Sequence, residues 1–235
     1  MTAELTPGTS ARTVRPGWTE IVVGIAVMAV VGIGLPLVLP DSFDLTGPAG
    51  GAFLACLSGV AGTIAFVAAA AVRRRPWGEF GVRRTTPGWI WIGVAGGAVA
   101  LLAKGALVPL FMWLFDVPTD TQAGYAEGAS GGLGFLVVTA IGLAVLTPIG
   151  EELLFRGVVT TGLLRYGPVI ATVGSAVIFA LLHGINVVLP AALVVGLITA
   201  ELRRRSGSVW PGVVVHAFNN SVTVIAYALA PEIAA

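Results

Sequence analysis

The sequence predicts an all-α fold, a polytopic bundle of about seven transmembrane helices. Three observations carry this. Of 235 residues, 56% are hydrophobic and 11% charged, and mean hydropathy is +0.93; a soluble domain carries about 25% charged residues. The hydrophobic residues come in runs close to the roughly 20 that a helix needs to cross a hydrocarbon layer about 30 Å thick at about 1.5 Å per residue. The arginines between those runs fall in alternate connections, as expected when basic loops stay on one side of a bilayer.

The elements follow in order. Residues 1–17, MTAELTPGTSARTVRPG, are polar and lack the apolar core and cleavage site of a secretory signal, so they read as a disordered cytoplasmic tail. Spans are expected at about 18–39, 48–72, 88–115, 131–149 (or on to 165), 168–188, 190–202 and 208–230. The sixth is the shortest. No polar linker divides the chain, which reads as N-terminal helices over 18–130, a core over 131–230 and a tail at 231–235.

Loop charge gives the orientation. Arg12 and Arg15 precede the first span, Arg73, Arg74, Arg75, Arg83 and Arg84 follow the second, Arg165 follows the fourth, and Arg203, Arg204 and Arg205 follow the sixth. The other connections carry Asp41 and Asp44, then Asp116, Asp120 and Glu127. The N-terminus is therefore expected in the cytoplasm and the C-terminus outside. Twelve arginines to one lysine, with abundant Ala, Gly and Val, suit a GC-rich bacterial genome and hence a bacterial cytoplasmic membrane. A net charge of +1 gives no argument for nucleic acid, and the single cysteine, Cys56, excludes an internal disulfide. Gly93 and Gly97 form a small-xxx-small pair that lets helices approach closely.

Ionisable groups inside a bilayer cost at least about 2.5–3.5 kcal/mol each and mark function. Here they are Lys104, Glu151, Glu152 and Arg156, joined by the polar His183, His216, Asn219 and Asn220. Glu201 lies beside the last arginine cluster and is expected at the interface. Lys104 is expected to be paired or to snorkel. Glu152 and Arg156 are four apart and share a helix face, so they are expected to pair. Glu151 points about 100° away and has no local partner. Pro148 and Gly150 should loosen the helix there.

Depth brings the rest together. At about 1.5 Å per residue, Glu151 lies about 21 Å inward from Arg165, His183 roughly 22 Å from Pro168, and His216 and Asn220 roughly 12 and 18 Å from Ser208. All are counted from the arginine-rich side. A desolvated Glu with a His beside it can activate water, and Asn or His can donate to a developing oxyanion. The same side chains allow an alternative, a zinc ion held by Glu151, His183 and His216 with one water.

Three short motifs then stand out. EELLFR fits EExxxR at Glu151, Glu152 and Arg156; FALLH fits FxxxH at Phe179 and His183; HAFNN fits HxxxN at His216 and Asn220. In this order they resemble the CAAX proteases and bacteriocin-processing enzymes, the family of the type 2 CAAX prenyl endopeptidase, over about residues 130–225. The resemblance implies a membrane-embedded endopeptidase with an all-helical core. It implies that Glu151 activates water with His183 beside it, that His216 and Asn220 stabilise the oxyanion, and that Glu152 and Arg156 support the site. Phe179 is expected to wall it, and Asn219 to pack. The partners implied are a peptide or membrane-protein substrate and the lipid bilayer. Two other classes compete. A small transporter would show repeat symmetry and a continuous polar path, and neither is legible. A non-catalytic adaptor or bacteriocin-immunity protein would be favoured by loss of a motif residue, and none is lost.

Overall fold

The computed structural model describes residues 15–40, 42–117 and 122–229. They form eight helices and, among the described residues, no strand. The helices are α1 (Trp18–Leu37), α2 (Pro48–Val72), α3 (Pro87–Leu114), α4 (Ala123–Ser130), α5 (Leu133–Tyr166), α6 (Pro168–Leu182), α7 (Val188–Ser206) and α8 (Trp210–Leu229). The all-helical membrane bundle is borne out. Most of the expected tail 1–17, and all of 231–235, lie outside the described residues. Pro16 and Gly17 are not a free tail but are buried, with Arg165 donating to the Pro16 carbonyl.

Five helices, α1, α2, α3, α5 and α8, are long and apolar enough to cross a membrane. The fourth expected span takes its longer form as α5. The fifth and sixth become a hairpin. α6 has 15 residues and α7 has 19, the last turn of α7 being Arg203, Arg204 and Arg205. At about 22 Å, α6 falls short of the hydrocarbon thickness. It stops at Leu182 because the chain turns at His183 and Gly184, whose φ of +83° suits glycine. Asn186 then braces the turn: its amide donates to the His183 carbonyl (2.7 Å) and its side-chain oxygen accepts the Val188 N–H (2.8 Å). Helix α4 answers to no expected element, since its GYAEGAS sequence has little apolar pattern.

The arginine-bearing connections meet at one end of the bundle. Arg83 donates to the Gly207 carbonyl (2.7 Å) and Ser208 to that of Arg83 (2.8 Å). Arg165 reaches the Arg15 carbonyl (3.4 Å), and Arg75 pairs with the buried Glu20 (3.0 Å). The alternation read from the loops therefore corresponds to a physical clustering.

Glycines set the helix spacing. A Cβ on Gly97 would lie 2.9 Å from Phe218 Cβ, and one on Gly93 would lie 2.8 Å from the Pro211 carbonyl oxygen. The small-xxx-small pair is thus the seam between α3 and α8. A tighter seam joins α2 to α5: a Cβ on Gly62 would meet the Gly150 carbonyl carbon at 2.6 Å, and one on Gly150 would overlap the Gly59 carbonyl oxygen. Gly150 is needed for this approach, which brings α2 against the Glu151 turn. Gly150→Ala has nowhere to put its methyl. It is expected to destabilise the protein by about 1–3 kcal/mol, the usual cost of overpacking, read as a lowered unfolding temperature in detergent.

Candidate active site

The site grows out of an irregular stretch of α5. Thr147–Glu152 is α-helical and is flanked by two π-helical stretches, Gly142–Leu146 and Leu153–Thr160. Pro148 has no N–H to donate, and its ring crowds the carbonyl four residues back, that of Ala144 in the first π stretch. The expected loosening is therefore present on both sides of the glutamates, and such π-helical widenings recur at functional sites. Residues 151–163 are buried without interruption, so α5 carries its charges in the centre of the bundle.

Glu152 and Arg156 are both fully buried and pair as expected, with Arg156 Nε 3.1 Å from Glu152 Oε2. The Nε–H is directed at Thr199 Oγ1 (2.6 Å), so the contact with Glu152 is ionic rather than a hydrogen bond. Arg156 also donates to the Gly196 carbonyl (3.4 Å), and its guanidinium lies 4.6 Å from the centre of the Phe179 ring. One side chain thus ties α5 to α6 and α7, through a cation–π contact and two hydrogen bonds.

Glu151, one step round the helix, faces elsewhere. Its Oε1 accepts a short hydrogen bond from Ser58 of α2. Its Oε2 is buried, has no hydrogen-bond partner among the described residues, and lies 3.8 Å from His216 Nε2. His216 Nδ1 lies 3.4 Å from Glu152 Oε1. The imidazole is therefore held between the two adjacent carboxylates.

His183, at the end of α6, has Nδ1 2.9 Å from the Phe179 carbonyl. A carbonyl only accepts, so Nδ1 carries the hydrogen and Nε2 of the neutral ring keeps its lone pair. The Phe179 ring packs against both imidazoles, at 4.7 Å from His183 and 5.8 Å from His216. Asn220, one turn beyond His216, donates from Nδ2 to the Leu143 carbonyl (2.8 Å), leaving the second amide hydrogen free of that bond.

Glu151, His183, His216 and Asn220 all line one cavity of about 700 Å³, with Phe179 and Ser58 in its wall. That size suits a peptide segment or other small ligand. Glu152 and Arg156 do not reach it and sit behind His216. Asn219 donates to the Gly97 and Val215 carbonyls (3.2 and 3.0 Å), packing as expected, although it also borders the cavity. Ser58, Asn186 and Thr199 were not anticipated. Each is a small polar residue whose role depends on another helix; the one local signal is Asn186, an amide in an otherwise apolar turn.

The zinc alternative finds less support. Among the described residues no group of three or more His, Cys, Asp or Glu side chains is placed to hold a metal ion. Glu151, His183 and His216 border the same cavity without converging as a ligand set, and no step is derived through a metal.

Fold and site together define an integral membrane protein with a carboxylate–imidazole cavity inside a helix bundle. Residues 133–222 match the family model of the type II CAAX prenyl endopeptidase Rce1-like proteins. The match covers α5, α6, α7 and most of α8, the part of the chain that carries the three motifs, and it is a similarity to the same family that those motifs resemble. No curated protein and no solved structure matches the chain.

Proposed function

We propose that the protein is an intramembrane endopeptidase that hydrolyses a peptide bond of a membrane-associated protein or peptide, with Glu151 as the base. The observation that supports this best is Glu151 Oε2, a buried carboxylate oxygen without a hydrogen-bond partner among the described residues, at a cavity also lined by both histidines. Ser58 orients the carboxylate through its other oxygen. Oε2 takes a proton from water as the water oxygen bonds to the scissile carbonyl carbon, and His183 Nε2 accepts the water's other hydrogen bond. The oxyanion receives hydrogen bonds from Asn220 and from His216 Nε2–H. The proton on Glu151 then passes to the leaving amine as the C–N bond breaks. The arginine-rich end faces the cytoplasm in this reading, so the substrate is cut within the membrane below that face.

The test is a comparison of new peptide termini in membranes from cells making wild type or Glu151→Gln at matched levels. Termini that arise with wild type alone support the proposal and locate the cut. Termini equally abundant with both proteins would remove Glu151 from the mechanism. Asn220→Ala is expected to lower kcat about 10²–10³-fold, the usual cost of one oxyanion donor, with little change in KM. A lost unfolding temperature in place of a lost kcat would assign Asn220 to holding Leu143 instead.

A further inference from the structure

Arg203 is an arginine that a topology signal does not explain. Such a signal needs a cation in a connection, yet Arg203, in the last turn of α7, is only 6% exposed. Its guanidinium lies over Gly81 of the α2–α3 connection, where a Cβ would sit 2.5 Å from Cζ. Nη2 donates to Thr161 Oγ1 of α5 (2.8 Å). Thr161 gives its own hydroxyl hydrogen to the Arg156 carbonyl (3.0 Å), which turns a lone pair to Arg203. Nε is buried and has no hydrogen-bond partner among the described residues.

The surroundings add like charge. Arg83 and Arg15 lie near enough for their positive charge to act on Arg203. Arg83 is held by its Nε–H on the Gly207 carbonyl (2.7 Å), with its Nη2 over Gly207, where a Cβ would overlap it. The backbone of Arg15 is fixed by Arg165, which donates to its carbonyl (3.4 Å). Among the described residues no carboxylate lies within ion-pair distance of Arg203, Arg83 or Arg15. The carboxylates at this end are engaged elsewhere: Glu20 with Arg75 and Arg73, Glu79 with Arg75, and Glu201 with Arg204 and Arg205.

A buried cation without a counter-charge is costly, and two more cations beside it raise the cost. The cluster is short of an anion. Three guanidiniums carry more N–H donors than the two oxygens of one carboxylate take up, and their planar forks match phosphate oxygens. Lipid phosphates lie at the matching depth. Trp18 and Trp77, on the same connections, are exposed, and Trp18 Nε1 donates to the Tyr166 hydroxyl (2.8 Å). Exposed aromatic residues of this kind sit at headgroup level, where basic pockets take anionic headgroups.

We propose that Arg203, Arg83 and Arg15 form a binding site for a phosphate group at the arginine-rich end of the bundle. The phosphate has two sources, the headgroup of an anionic phospholipid or free phosphate, and both present the same chemistry to a guanidinium. The site is separate from the cavity at Glu151 and does not depend on the peptidase reading.

The experiment measures binding to the full chain by calorimetry, in uncharged detergent at fixed physiological ionic strength. The two probes are short-chain phosphatidylglycerol and inorganic phosphate. The proteins are wild type, Arg203→Gln, Arg15→Gln and Arg84→Gln. Arg84 is exposed beside Arg83 and is not among the cations acting on Arg203, so its variant makes the same change of net charge outside the cluster. Arg203→Gln is expected to weaken binding roughly tenfold to a hundredfold, the worth of charge-assisted hydrogen bonds. Arg15→Gln is expected to weaken it about fivefold, and Arg84→Gln to leave it nearly unchanged. The Arg15 side chain is exposed, so its variant decides the matter even where Arg203→Gln does not fold. Binding of phosphatidylglycerol without inorganic phosphate identifies a headgroup. Binding of inorganic phosphate with the same arginine dependence identifies the free anion. No saturable binding of either probe, or binding that Arg15→Gln leaves unchanged, overturns the proposal. So does binding weakened as much by Arg84→Gln as by Arg15→Gln, which would mark a diffuse surface potential in place of a site.

Discussion

Glu151→Gln is expected to slow peptide-bond cleavage by about 10²–10⁴-fold, the contribution of a positioned general base, while the protein stays folded. Gln has nearly the shape of Glu and can still accept from Ser58 through its carbonyl, so the packing of α2 against α5 persists. It cannot take a proton from water. The measurement is single-turnover cleavage of a substrate found by the termini comparison, alongside the unfolding temperature in the same detergent. Wild-type rates in Glu151→Gln would move the base to another group, of which His183 Nε2 is the nearest in kind. A collapsed unfolding temperature would show that the Glu151 carboxylate is structural first.

Arg156→Met is expected to destabilise the protein by about 3–5 kcal/mol, because it leaves the fully buried Glu152 without its cation. The variant also loses the contacts to Thr199, Gly196 and Phe179 that bind α5 to α6 and α7. The double variant Glu152→Gln with Arg156→Met removes both charges and should recover much of that loss, since a buried pair is often neutral relative to uncharged replacements. Its activity should stay low, because His216 Nδ1 no longer faces a carboxylate. Denaturant titration of the three proteins in mixed detergent, with cleavage measured on each, separates the two effects. A single variant as stable as wild type would mean that the pair does not hold the bundle together. A double variant as weak as the single one would assign the loss to packing of the guanidinium on Phe179.

Local rules reached a good part of this site. The four-residue spacing of Glu152 and Arg156 anticipated their ion pair even where the helix widens, because both side chains still leave one face. The pairing of FxxxH and HxxxN with EExxxR, and the depth count along three helices, anticipated that Glu151, His183, His216 and Asn220 would lie at one depth, where they border one cavity. Other features were not legible. The fifth span was read to 188, yet it ends at Leu182, because an apolar run does not reveal a turn that glycine and Asn186 make inside the bundle. Gly150 was read as a loosening of the helix. Its main use is contact with Gly59, which no pattern within α5 encodes. Lys104 was read as paired or snorkelling, and nothing local announces its hydrogen bond to Thr223 (3.2 Å), 119 residues away in the chain.

The sequence by itself determined the solvent of this protein, the helical state of its backbone and the few ionisable side chains that lie within its apolar runs. Apolar runs of spanning length leave the backbone no hydrogen-bond partner but itself, and charges inside such runs are costly enough to be few and visible. Tertiary structure alone decided how those charges are partnered. It placed Ser58 on one oxygen of Glu151, His216 between two carboxylates, Thr199 on Arg156 and Thr223 on Lys104. Each of these contacts joins different helices at a distance set by the close approach of glycines, and hydropathy, being a property of single segments, is blind to which faces of two helices touch.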